Sequence, residues 1–533
     1  RLVGSEMCIR DRSLTACTSD NKTVVDGQTT VTSNSAGGVA VFTPSDGITL
    51  NQQTPLNKWA KLVPDLAKAL ADAGFKKGDI DHTTSDSLAK QSRAIQDFVV
   101  DHLSNNTTDD SGIAIAPDNM TLLVAPVVEA DASTRQYGDY ISQNLSTNDA
   151  TDGEATSDGE SSEDDSSKDD SSNTESDSTA SDEQAQAVDR LVSSLKLAKE
   201  SGMHVVLLGN SIEGYKPDAF VKFSDAQTIG KLQAEKMVSK LKLDKASKDN
   251  PKYIEVLLPY TAVDEKGNAN DSTFAQEAFR GIWQVLGSYY QKGVVESPSG
   301  TLDGKSTEND WQAVAYDAAK EGSTAKVLDK RLAKTDGQST LTRIDGIITM
   351  NDYIASEVVK ELDDLGYTGS AADINPQITI SGIVGNITGK KDLSRDAVPD
   401  PIKSPENDNA NDSSSSDDDA DEDTSASDKD RDSQWPLVTG YGAYVSNIPS
   451  IVNGKQWMTG MEDRQTIATD IAQACAKLNK DEALNSMPSI RNSEVGGVKK
   501  IPTISEPLLA VSASNLKSAL IDPGYISLAD AGL

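Results

Sequence analysis

The chain has 533 residues, room for two or three domains, with 36% hydrophobic and only 5% aromatic residues and a net charge of −34. That charge is concentrated: 145–184 carries 14 acidic residues against one lysine and 404–433 carries 12 against two basic residues, which leaves −11 for the rest. So mild an acidity still excludes a nucleic-acid-binding face, which needs a basic surface, and no stretch is long and apolar enough to span a membrane.

The first residues, Leu2–Arg12, read as translated adapter or vector sequence and are set apart from the fold. Leu14-Thr15-Ala16-Cys17 resembles a bacterial lipobox, in which the cysteine is lipidated after signal-peptide cleavage. A polar Thr/Ser/Asn/Gly tether over Thr18–Gly38 follows, as a surface-anchored domain requires. Cys475 sits in a helical pattern and reads as a small buried hydrophobe.

Gly38–Thr43 (GVAVFT) predicts a strand broken by Pro44-Ser45-Asp46-Gly47. A helix follows, with Trp59, Leu62, Val63, Leu66, Leu70 and Ala73 on one face. Ile80–Thr83 and a helix to Leu103 form a second βα unit, and Leu122–Pro126 is a third strand. The acidic run 145–184 expands the next loop, with helix resuming over Ala185–Ser201, and His204–Gly209 is a fourth strand. Both acidic runs lack the large apolar residues that would offset ordering entropy, so they are expected to be disordered. No EF-hand spacing occurs in either, which favours a solvated insert over a calcium site.

Beyond them, Phe223–Leu243 predicts a loop and helix, Lys252–Pro259 a strand, Asn268–Tyr289 a loop and helix, and Val294–Glu296 a short strand. Asp310–Leu328 reads as one helix, and Ile378–Gly382, Pro436–Gly440 and the helix Gln465–Leu478 follow. The stretch Ile344–Tyr367 is the most informative: a buried strand, a turn at Asn351-Asp352, and an amphipathic helix ended by Gly366. A βα turn lies at the carboxyl edge of a parallel sheet, where ligands bind in open α/β proteins. Asn351 or Asp352 can equally cap the helix. Sustained β-α alternation predicts parallel sheets covered on both faces, divided into two lobes.

Five segments then carry a resemblance. FSDAQTIGKLQAEKMV (Phe223–Val238), IDGIITMNDYIA (Ile344–Ala355), VTGYGA (Val438–Ala443), NGKQWMTGMEDRQTIA (Asn453–Ala468) and IPTISEPLLAVSASNLKSALIDPGY (Ile501–Tyr525) stand in the order of matching motifs in one family. The chain resembles the type I periplasmic-type sugar-binding proteins of ABC transporters, in particular the xylose and multiple-sugar binders. The resemblance implies two Rossmann-like lobes joined by three crossovers and closing on a sugar. The lobes would be 38–210 with 441–461, and 211–440 with 462–533. It also implies a monomeric, extracytoplasmic lipoprotein anchored at Cys17 that delivers a mono- or oligosaccharide to ABC permease subunits, with no cofactor and no metal.

Site residues follow from the same resemblance, each beside a plainer reading. Trp59 would stack on a sugar ring and Lys58 donate to a hydroxyl; otherwise Trp59 is core and Lys58 solvated. Asp46 lies in the first βα turn, as a contact or a turn former. Asp225 accepts hydroxyl hydrogen bonds or caps the following helix, and Asn351 and Asp352 contact the ligand. Three positions depart from the family: its Asp-Arg pair becomes Gly209-Asn210, its Asp-Asn-Asn-Ala falls near Asn270 and Asp271, and its Gln-Asp becomes Tyr441-Gly442. Tyr441 in place of a carboxylate implies a larger, less polar or oligomeric glycan.

A competing reading is a sensor or surface-interaction protein on the same scaffold. A repressor of related fold needs a basic helix-turn-helix, and residues 13–37 offer only a polar tether. Catalysis is not indicated: His82, His102 and His204 stand beside no nucleophile motif, and no GxSxG, P-loop or metal-spaced cluster occurs.

Overall fold

The computed structural model describes residues 36–45, 55–105, 116–128, 134–146, 174–263, 271–333, 341–371 and 433–533. The chain opens with β1 (Gly38–Pro44), α1 (Trp59–Asp72), β2 (Ile80–Ser85), α2 (Leu88–Asn105) and β3 (Met120–Val124). Then come β4 (Asn144–Leu145), α3 (Thr174–Glu200), β5 (His204–Leu208), β6 (Ser211–Ile212) and β7 (Ala219–Val221). Alternate residues of these strands are apolar on both faces: Val39, Val41, Leu123 and Val206 join one core cluster, Ala40, Phe42, Leu122 and Val205 another. That is the mark of a sheet covered on both sides.

The middle of the chain gives α4 (Ala226–Lys240), β8 (Lys252–Val256), β9 (Leu258–Pro259), α5 (Thr273–Gln291), β10 (Val295–Glu296), α6 (Trp311–Val314), β11 (Ala315–Tyr316) and α7 (Ser323–Arg331). β12 (Gly346–Ile348), α8 (Asp352–Leu365), β13 (Leu437–Tyr441), α9 (Ile448–Val452), β14 (Met458–Met461) and α10 (Arg464–Leu478) follow. The chain closes with β15 (Ile490–Val495), β16 (Val498–Ile504) and β17 (Leu509–Ser512).

Two sheets organise these strands. The first runs β15-β16-β7-β5-β3-β1-β2 and is parallel except for the β15–β16 hairpin. The second runs β10-β8-β12-β13-β14-β17 and is parallel except at β17. Among the described residues the chain passes between the lobes three times: after β7, between β14 and α10, and between β16 and β17. Helices α4 and α5 pack so closely in the second lobe that a Cβ on Gly230 would lie 2.2 Å from the Ala278 carbonyl oxygen, and one on Gly281 2.0 Å from that of Gln227.

Several expectations are corrected. The segment 441–461 belongs to the second lobe, because β13 and β14 pair in parallel there. Residues 462–504 return to the first lobe, where α10 packs on α1 and β16 pairs with β7. The first crossover lies beyond β7 rather than at residue 210. β-α alternation reveals that a strand exists but not which sheet accepts it. The helix expected from Ala185 begins at Thr174, inside the acidic run. The single helix expected over Asp310–Leu328 is divided into α6 and α7 by β11 and by Gly322 at φ 71°. The strand expected at Ile378–Gly382 and most of the 404–433 run lie outside the described residues.

Candidate functional site

The carboxyl ends of both sheets meet at one seam. From the first lobe come Asn57 after β1, the segment 134–141 after β3, Asn210 after β5 and Ser224 after β7. From the second come Phe274 beyond β9, Asn351 and Asp352 after β12, Tyr441–Tyr444 at the end of β13 and Glu462 after β14. Cross-lobe contacts join them. The Leu56 amide donates to the Gly442 carbonyl (2.8 Å), Asn57 Nδ2 to Tyr441 Oη (3.0 Å) and Asn351 Nδ2 to Gln136 Oε1 (3.1 Å). The Tyr444 hydroxyl donates to the Gln136 carbonyl (2.8 Å), and the Tyr137 ring packs 4.6 Å from Phe274.

The turn after β12 is held from every side. Asn351 is fully buried and caps α8, its Oδ1 accepting from the Ile354 amide at 2.9 Å. Asp352 is also fully buried; its carboxylate accepts from Gln456 Nε2 (2.7 Å), Thr459 Oγ1 (2.8 Å) and the Tyr444 amide (2.9 Å). Asn447 steadies the cage by donating to the Asp352 carbonyl and to Gln456 Oε1. Among the described residues no cation pairs with Asp352. Burial pushes its carboxyl up to about 6, against the pull of these hydrogen bonds. Met350 at φ 69° and Ala443 at φ 50° flank the cage in the left-handed region that side chains rarely adopt. Gly440 admits the carboxylate, since a Cβ there would lie 2.2 Å from Asp352 Oδ1.

Glu462 lies in the second crossover and is buried too. Its Oε1 accepts from the Ser224 amide (2.6 Å), which lies in the first crossover, and from the Tyr441 hydroxyl (3.5 Å). Burial pushes Glu462 up to about 7. Tyr441 Oη also lies 2.5 Å from Ser224 Oγ. The Tyr441 hydroxyl therefore ties the two crossovers together.

The remaining expected residues are distributed differently. Trp59 is 2% exposed, edge-on to Tyr140 (5.0 Å) and Phe223 (5.7 Å) within the first lobe's core, so no ring face is open for stacking. Lys58 pairs with Asp139 at 2.6 Å. The Asn210 amide is fully engaged, donating to the Pro126 carbonyl and accepting from the Gln143 amide, both at 2.9 Å. Asp225 caps α4 through the Thr228 amide (2.7 Å) and pairs with Lys222. Burial raises its carboxyl, but the hydrogen bonds from Thr228 and Lys222 overcome this and hold it below the usual range. Asp271 is exposed and accepts from the Thr273 amide at the start of α5. Asp46, Asn270 and Cys17 lie outside the described residues.

Sequence reasoning missed Asn57, Gln136, Tyr137, Tyr444 and Glu462. The available signal was Arg135–Tyr140 (RQYGDY), two tyrosines around a glycine in an otherwise polar loop. Among the described residues no group of His, Cys, Asp and Glu is placed to hold a metal ion, and no helix is long and apolar enough to cross a membrane.

No family model matches the chain, and no protein of curated function matches it in sequence. Among solved structures, it is similar to an ABC transporter solute-binding protein from Clostridium phytofermentans with bound β-D-glucose: 17% identity over 92% of this chain and 99% of that one, TM-score 0.44. A carbohydrate transporter solute-binding protein from Chloroflexus aurantiacus in complex with D-glucose shows 18% identity over 94% and 98%, TM-score 0.43. An arabinose-binding protein from Geobacillus stearothermophilus shows 9% identity over 91% and 99%, TM-score 0.41. Such similarity is too low to assign a family. The two-lobed fold rests on the strand order and the three crossovers.

Proposed function

We propose that the chain is an extracytoplasmic solute-binding protein, not an enzyme, that captures a sugar or oligosaccharide between its lobes and delivers it to an ABC permease. The observation that carries this reading is the seam itself. Loops from the carboxyl ends of two mainly parallel sheets converge there, and among the described residues three chain crossings join the lobes, the arrangement a hinge closure needs. The groups gathered at the seam are amides, phenols and the two buried carboxyl groups of Asp352 and Glu462, which suit a neutral hydroxylated ligand. The five ordered motifs support the same reading, and the lipobox at Cys17 supports anchoring of a monomer to the outer face of a cell membrane.

The test is a thermal-shift screen of the full chain against mono- and oligosaccharides. A ligand present at a hundredfold over its dissociation constant stabilises the native state by about 2.7 kcal/mol, which is readily seen. The shift should shrink in Asn351→Ala. A second reading, a sensor or surface-interaction protein on the same scaffold, is favoured by one observation: the seam is closed by the protein's own side chains, with Tyr137 and Tyr441 each 1% exposed or less. Absence of a shift with every saccharide would transfer the assignment to that reading.

A further inference from the structure

One segment, 136–141, contacts both lobes at the seam. Residues 138–140 bind it to the first lobe. The Asp139 amide donates to the Asn57 carbonyl (2.8 Å), and the Asp139 carboxylate takes Lys58 Nζ (2.6 Å) and the Trp59 amide (3.2 Å). The Tyr140 hydroxyl donates to the Lys58 carbonyl (2.5 Å). Gly138, at φ 103°, allows the approach, because a Cβ there would lie 2.5 Å from the Asn57 oxygen.

The neighbouring residues belong to the second lobe instead. Tyr137 is 1% exposed and sits with Ile141 in the second lobe's core cluster, its ring against Phe274 and 6.3 Å from Tyr441. Asn351 Nδ2 donates to Gln136 Oε1, and the Tyr444 hydroxyl donates to the Gln136 carbonyl. An aromatic ring, an amide and a carbonyl carried by one lobe thus occupy polar groups at the carboxyl edge of the other.

We propose that Gln136–Tyr137 is a built-in plug: carried by the first lobe, it occupies the second lobe's half of the ligand site and holds the ligand-free protein closed, so that ligand enters by displacing it. This rests on the reading of the seam as a ligand cleft. A plugged state lowers apparent affinity by the fraction of molecules that are open, so loosening the plug raises affinity without any new ligand contact.

The experiment uses the full chain without ligand, as wild type, Gln136→Ala and Gln136→Ala/Tyr137→Ala. Hydrogen exchange is read at the Leu56 amide, which bonds across the seam to Gly442, and small-angle scattering gives the radius of gyration. The double variant should exchange at Leu56 about tenfold faster and be more extended. It should also bind any saccharide that the wild type binds about tenfold more tightly, equivalent to about 1.4 kcal/mol. Gln136→Ala should lie between, and decides the matter if the double variant does not fold. Saccharide binding with unchanged exchange and affinity overturns the plug and leaves sugar capture standing. Faster exchange and extension with no saccharide bound by any variant supports the plug and overturns sugar capture.

Discussion

Asp352→Asn should abolish the pH dependence that this buried carboxylate imposes. Its carboxyl accepts three hydrogen bonds and meets no cation among the described residues. Burial raises it from 3.8 to about 6. Between those values the native state keeps a proton that the unfolded chain has lost, so stability is fully present below pH 3.8 and falls as pH rises through 6. At about 1.4 kcal/mol per pH unit the loss is about 3 kcal/mol. Asparagine cannot titrate, and it sets an N–H against the Tyr444 amide or Gln456. That costs about 1–3 kcal/mol at every pH. Urea unfolding of both proteins from pH 3.5 to 8 gives a difference curve free of the other titrating groups. The variant should be the less stable protein in acid, then gain about 3 kcal/mol on the wild type by pH 7.5. A flat difference curve, or one of opposite slope, would refute the reasoning.

Glu462→Gln should behave in the same sense over a higher window, since burial raises Glu462 from 4.5 to about 7; the wild-type melting temperature should fall more steeply than the variant's between pH 5 and 8. Trp59→Ala should cost about 3–5 kcal/mol in denaturant unfolding, as loss of a buried indole does, with no change in saccharide affinity per folded molecule. Lost affinity at full stability would return Trp59 to the site. Gly281→Ala should destabilise by at least ~1–3 kcal/mol, because its methyl would press on the Gln227 carbonyl across the α4–α5 contact; a neutral effect in the same assay would contradict the close crossing.

The parts of the fold legible in the sequence were those fixed by local pattern. Apolar runs such as Leu122–Val124 and Val205–Leu208 announce strands buried on both faces, and the Asn351 cap and Gly366 terminus bound α8 closely. Allocation of strands to lobes was not legible. β16 pairs with β7 across about half the length of the chain, Thr503 opposite Phe220, and no local signal encodes such a partner. The candidate site shows the same division. The turn at Asn351-Asp352 could be located from its βα context, whereas the buried ends of Tyr441 and Glu462 are defined by Ser224 and Asn57, which only tertiary packing brings near. Trp59 was ambiguous because a tryptophan on an amphipathic helix face reads alike as core or platform. Tyr140 and Phe223, which decide between them, lie far along the chain.

The return of the chain to its first lobe constrains how the molecule is made. Until residue 478 has left the ribosome, α1 lacks α10, the helix that packs against it, and until residue 504 has left, β7 has no neighbour on one edge. A nascent chain halted before α10 therefore displays an unpaired strand and part of the cluster containing Leu62, Leu66 and Leu70. Neither lobe is complete as a contiguous stretch of sequence, so synthesis from the N-terminus cannot finish one before starting the other. Both sheets are completed only when β16 and β17 are present.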